Sequence, residues 1–178
     1  MISVMEPTLI QKYFCISLIE NRKTKKKDML GQLDEKQMEA LLTQQITGRL
    51  ACHYDGETYI VPLNYVFKNG NIYAHSGMGK KIDMMRKNPN VCFEVEEIES
   101  IFQWRCVIAW GTFEEIYNED EKQQARQLLT HRLMPLVSEP QHHASHGIAA
   151  NELDIDTRID PIVYKIRVEK ITGRFERA

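Results

Sequence analysis

The stretch Asn71–Glu94 reads NIYAHSGMGKKIDMMRKNPNVCFE. A short apolar strand ends in His75 and Ser76; Gly77 and Gly79 follow, then Lys80 and Lys81 at the start of a helix pattern that Pro89 stops. A junction of this composition can hold an anion. The first N–H groups of a helix have no partner within it, and the helix dipole adds positive potential there. Glycine lets a backbone approach a ligand closely, and the Ser76 hydroxyl can donate a hydrogen bond. Lysine in a first turn opposes the dipole, and a bound dianion offsets that penalty. The chemistry expected here is phosphate binding, and the bland reading of the same residues is a turn with solvated lysines. It is not a P-loop, because the G-x-x-x-x-G-K-[ST] spacing is absent.

Other reactive side chains carry less. Cys15, Cys52, Cys92 and Cys106 are scattered with no C-x-x-C pair, which argues against a zinc ribbon or a dithiol motif and fits free thiols in a reducing compartment. Cys52 and Cys92 lie in apolar strand patterns and read as inert core thiols. His142, His143 and His146 crowd one polar loop, without H-E-x-x-H or a carboxylate partner in the run, so no metal site is assigned. Trp104 and Trp110 could stack on a ring, with Trp110 the better placed, although strand tryptophans more often anchor a core or an interface. The basic run Arg22–Lys27 reads as a solvated loop or as a positively charged flap.

The elements that position these residues can be traced along the chain. Tyr13–Ile19 could form a strand. Asp34 and Gln37 make a capping box, Leu33 and Met38 a hydrophobic staple, and Met38, Leu41 and Leu42 one apolar helix face. Strands are predicted over Leu50–Tyr54, Tyr59–Phe67, Ile72–Ala74, Val91–Val95, Arg105–Glu115 and Ile162–Val168, with Asp55-Gly56 and Asn69-Gly70 as hairpin turns. A short helix is predicted over Met78–Asn88, with Met78, Ile82 and Met85 apolar. Another runs from an Asn118/Glu121 capping box to about Met134. A polar loop spans 135–160. Many short strands, hairpin turns and few helices predict a mainly β chain, a closed or nearly closed antiparallel barrel with helices outside.

The bulk numbers set outer limits. The chain has 178 residues, 43% hydrophobic and 27% charged, with a net charge of −2, which suits one domain over 1–178 and gives nucleic-acid binding no electrostatic support. No apolar run approaches the roughly 20 residues of a membrane helix. The start MISVMEPTLIQKYF lacks the pattern of a secretory signal, so a cytoplasmic protein is expected.

GRLACHYDGETYIVPLNYVFKNGNIYAHSGMGKKIDMMRKNPNVCFEVE, followed by RCVIAWGTFEEI, resembles the pyridoxamine 5'-phosphate oxidase-like FMN-binding split barrels. Within them it is most similar to the nitroimidazole-resistance branch. The likeness covers roughly Lys26–Arg174, and its combined spacing of PLNYV, N-G, I-Y-x-H-S, G-K-K and N-P-x-V-x-F-E-V is specific. The resemblance implies a six-stranded antiparallel split β-barrel, a homodimer and FMN at the dimer interface. Lys80 and Lys81 match the basic pair on the FMN phosphate, and His75 and Ser76 the strand end beside the flavin. Pro62, Leu63, Asn64 and Tyr65 match the strand whose edge lies along the isoalloxazine ring. Cys106 falls where relatives carry serine or glutamine near the ring, and a thiol is a weaker partner. Trp110 joins the cofactor-binding candidates. His75 is the candidate catalytic residue, suited to proton delivery, with a purely structural histidine as the alternative.

The implied function is an FMN-dependent oxidoreductase acting on a nitroaromatic or similar small molecule. The alternative is a flavin- or haem-binding carrier or sensor, or a barrel without cofactor. FAD is an alternative to FMN, because nothing in the sequence closes the far side of the phosphate site; no residue identifies a haem ligand. The pyridoxal-binding C-terminal segment has no counterpart in VYKIRVEKITGRFERA, so the vitamin B6 reaction is not expected.

Overall fold

The computed structural model describes residues 29–136 and 161–177. The strand expected over Tyr13–Ile19, Cys15, the basic run and the histidine-rich loop lie outside these residues. Among the described residues, eight strands and three helices follow one another in the order β1 (Leu30–Gln32), α1 (Glu35–Gln44), β2 (Thr47–Tyr54), β3 (Glu57–Asn64), β4 (Val66–Lys68), β5 (Asn71–Ser76), α2 (Lys80–Lys87), β6 (Asn90–Ser100), β7 (Gln103–Glu115), α3 (Glu119–Leu133) and β8 (Ile162–Glu176). A single turn of 3-10 helix, Met134–Leu136, extends α3.

Every strand pair is antiparallel, and the path across the sheet is β3-β2-β6-β7-β8-β5-β4, with β1 added on β8. The two ends of that path, β3 and β4, are joined through Tyr65 alone. A seven-strand sheet whose edges are one residue apart in sequence has to curl back on itself, and the result is the split barrel. Six strands have six residues or more, and β1 and β4 have three each.

Local chemistry accounts for most of the elements. Asp55, Gly56, Asn69 and Gly70 all have left-handed φ, between 49° and 76°, as the tight D-G and N-G hairpins require. Asp34 caps α1 in a full capping box. Asn118 caps α3 by accepting from Glu121 N, while the Glu121 carboxylate is engaged by Lys165 Nζ at 2.7 Å, so the expected second box is only half formed.

Alternation places one side of each strand inside. Leu50, Cys52, Leu63, Tyr65, Ile72, Ala74, Phe93, Val95, Val107, Ala109, Tyr164 and Ile166 make the interior, together with Leu41 and Leu42 of α1 and Ile82, Met84 and Met85 of α2. The Tyr65 and Phe93 rings meet edge to face at 4.8 Å. The last carbonyls of α1 are satisfied from distant segments: Tyr65 Oη donates to Leu42 O at 2.7 Å, and Arg132 Nη2 donates to Thr43 O and Gln44 O at 2.9 and 2.8 Å. Ala125 of α3 packs with Ile116, Val163 and Tyr73 on the outside of β5 and β8.

Three expectations change. The long strand Tyr59–Phe67 is β3 and β4 with a break at Tyr65, where the chain passes from one edge of the sheet to the other. The second helix begins at Lys80 rather than Met78; Met78 is exposed, and Gly79 is extended as the cap. The last strand runs on to Glu176, because β7 on one side and β1 on the other extend its ladders beyond Val168.

Candidate functional site

The junction singled out in the sequence sits where β5 ends against β8, with Ser76 opposite Ile162. Gly77–Gly79 then turns the chain into α2. Unlike α1 and α3, α2 has no side-chain cap; its first internal bond is Asp83 N to Gly79 O at 3.1 Å. The N–H groups of Lys80, Lys81 and Ile82 therefore stand at the helix start with no capping side chain. A Cβ built at Gly77 or Gly79 meets nothing within 4 Å, so the turn borders open space.

The two lysines diverge. Lys80 Nζ lies 2.5 Å from Glu57 Oε1 and 5.1 Å from the centre of the Tyr59 ring. Lys81 is half-buried and makes no ion pair among the described residues. Burial pulls its ammonium below the usual lysine value. A half-buried cation with no ion pair among the described residues, beside uncapped helix N–H groups, is an arrangement an anion completes. Ser76 is nearly buried, and its hydroxyl donates to Gly77 O at 2.7 Å, so it holds the shape of the turn. His75 points to the outward side of β5, the side opposite Ile72, Ala74 and Ser76, and is half-buried.

The PLNY segment divides by face. Pro62 and Asn64 are exposed on the outside of β3, and Asn64 Oδ1 accepts from Thr47 Oγ1 at 2.8 Å. Leu63 and Tyr65 turn inward and are buried. The Tyr65 side chain is thus removed from the cofactor candidates, because its ring fills the core and its hydroxyl is bound to α1. Leu63 can offer only backbone. Among the described residues β3 pairs with β2 alone, so its other backbone edge has no strand partner there.

Cross-strand register brings distant residues beside Pro62. Pro62 is opposite Arg49, Arg49 is opposite Glu94, and Glu94 is opposite Ile108, all on the outward side. Arg49 Nη1 contacts Glu94 Oε2 at 3.2 Å and Glu96 Oε1 at 2.6 Å. Cys106 Sγ donates to Glu94 Oε1 at 3.4 Å. Burial, then that bond and the two glutamate charges, push the Cys106 thiol up to about 12, so it stays protonated and is no nucleophile. The adjacent row is Ile60, Ala51, Cys92 and Trp110, ending at Lys170, whose ammonium lies 5.2 Å from the Trp110 ring centre. Gly111, next to Trp110, marks a bulge against β8, where a Cβ would come within 2.3 Å of Arg167 O.

The structure thus gathers Pro62, Cys106 and Trp110 on one outward face, and Ser76, Lys80 and Lys81 at one turn. His75 stands outward on β5, two strands from β7 along the path. Sequence reasoning missed Arg49, Glu57 and Glu94. Each is a charged residue at an outward position of an alternating strand, and only the pairing register shows what it faces. Among the described residues no group of three or more His, Cys, Asp or Glu is arranged to hold a metal. Among the same residues no helix is long and apolar enough to cross a membrane.

The pyridoxamine 5'-phosphate oxidase family model matches residues 34–175. An uncharacterized protein of Rhizobium meliloti is 30% identical over 126 residues, which are 71% of this chain and 82% of the relative. An FAD-binding protein of Mesorhizobium loti shares the fold at a TM-score of 0.65 and 28% identity, over 83% of this chain and 98% of its own. A candidate 5-nitroimidazole antibiotic resistance protein of Bacteroides thetaiotaomicron superposes at 0.58 with 23% identity, over 82% of this chain and 88% of its own. An FAD and heme binding protein of Mycobacterium smegmatis does so at 0.62 with 15% identity, over 85% and 75%. At those identities the last two are likenesses of fold alone.

Proposed function

The chain belongs to the pyridoxamine 5'-phosphate oxidase family, and on that premise we propose that it is a dimeric, FMN-binding oxidoreductase acting on a nitroaromatic or similar small molecule. The observation that carries the reading is Lys81, half-buried at the uncapped start of α2 and without an ion pair among the described residues, beside Gly77 and Gly79. Those groups fit a phosphate. The relative of Mesorhizobium loti, named as FAD-binding, supports a flavin as its bearer.

In this reading Lys81 and the first N–H groups of α2 hold the phosphate, and Ser76 keeps the turn open. The unpaired edge of β3, from Pro62 to Asn64, orients the ring system. The flavin supplies the electron transfer when bound, and the protein positions and tunes it. His75, on the outward side of β5, is the residue whose imidazole suits proton delivery to a substrate being reduced. Cys106 contributes shape more than hydrogen bonding, because its proton is committed to Glu94. The outward rows across β3, β2, β6 and β7 carry exposed Ile60 and Trp110, and a second copy of the chain covers them.

Absorption spectra of the purified protein, before and after addition of FMN, test the reading. Flavin bands that survive gel filtration, and that bleach with a reductant and return with a nitroaromatic, are expected. A protein that takes up no flavin removes the proposal.

A further inference from the structure

Lys80 occupies the first position of α2, yet its side chain is turned away from the helix start. We infer that Glu57 is a positioning residue that sets the affinity of the anion site by holding Lys80 off it. This rests on the reading that the Ser76–Lys81 turn takes a phosphate. Three observations support it. Lys80 Nζ is 2.5 Å from Glu57 Oε1, with both side chains about half exposed, and it lies against the Tyr59 ring. Asp55 and Gly56, both left-handed, fix the hairpin that delivers Glu57 to the start of α2. Lys81, the next residue, has no such partner among the described residues and is half-buried.

Glu57 and a bound phosphate therefore compete for one ammonium. A lysine is a compact charge on a flexible stem with three rotatable donors, so it can leave one anion for another without moving the backbone. A phosphate dianion outweighs one carboxylate, but it has to displace that carboxylate first. Occupancy of the turn releases Glu57 from Lys80, while Asn88 and Lys87 still hold the β2–β3 hairpin to α2 through His53 O and the Tyr54 ring.

The decisive experiment is a double-mutant cycle of Glu57→Gln and Lys80→Met, titrated with FMN and separately with inorganic phosphate. Both positions are exposed, so neither change threatens the fold. Glu57→Gln is expected to tighten FMN binding by about two- to fivefold at low ionic strength, the range for an exposed pair, and by less in high salt. In the Lys80→Met background the gain should vanish. An equal gain in both backgrounds would show a general charge effect and overturn the inference, as would no gain in either. Coupling seen with inorganic phosphate but no FMN binding would sink the flavin reading and uphold the role of Glu57 on Lys80. Failure of both ligands to bind would overturn both.

Discussion

Lys80 and Lys81 are neighbours in sequence with different roles. One is neutralised by Glu57, and the other is a half-buried ammonium without an ion-pair partner among the described residues. Lys81→Ala should therefore weaken FMN binding by about tenfold or more, the scale of a charge-assisted hydrogen bond, and Lys80→Ala by a few-fold; titration calorimetry separates them. Affinity should also fall with rising pH once Lys81 deprotonates, below the ordinary lysine value of about 10.4. Lys81's lowered value works against the fold: between the folded and unfolded values the unfolded chain binds more protons, so stability from this group rises with pH there. Tyr164 is the other residue whose environment is at odds with its chemistry. Its ring is fully buried against Phe113, and its hydroxyl has no hydrogen-bond partner among the described residues. Tyr164→Phe should leave stability unchanged or raise it by about 1 kcal/mol, since a buried unsatisfied hydroxyl costs roughly 1–3 kcal/mol. A urea melt showing a clear loss would mean that the hydroxyl has a partner outside the described residues.

At the scale of elements, α2 is held at its far end by a two-pronged contact. Arg86 Nε and Nη2 bind Glu115 Oε1 and Oε2 at 2.5 and 3.0 Å, tying the last turn of α2 to the end of β7. Arg86, then Tyr117, hold the Glu115 carboxyl below its usual range. A lowered folded value means stability that is fully present above the unfolded value, about 4.3, and that is lost as pH falls through the folded value. Chemical melts from pH 6 downward should show that loss, and Arg86→Met should flatten it. If the pH profiles of wild type and variant coincide, the clamp contributes nothing. Glycine at two close approaches constrains the strands: a Cβ at Gly48 would strike Phe93, and one at Gly111 the backbone of β8. The caps of α1 and α3, both hairpin turns and the alternation of β6 were all legible, because each is a local matter of φ, hydrogen-bonding reach and period two. The start of α2 was misplaced because Met78 matched the helical period, while Gly77 and Gly79 decided the backbone.

At the scale of the whole molecule, the outward rows Pro62–Arg49–Glu94–Ile108 and Ile60–Ala51–Cys92–Trp110 form one face across four strands. If that face is the proposed dimer interface, Ile60→Glu or Trp110→Glu should convert the protein to a monomer in gel filtration with light scattering and release FMN with it. A dimer unaffected by either change places the interface elsewhere. The strand-to-helix junction from His75 to Lys81, to which the anion site is assigned by proposal, was recognisable because its residues are contiguous. So was the barrel, since alternating strands and D-G and N-G turns restrict the chain to antiparallel hairpins. Tertiary structure alone decided that Tyr65 points inward, that Lys80 is paired with Glu57 while Lys81 has no ion pair among the described residues, and that Arg49, Glu94 and Cys106 meet. Those outcomes depend on pairing register and on the curl that brings β3 and β4 together. Register is a relation between segments tens of residues apart, so no local pattern of residue types contains it.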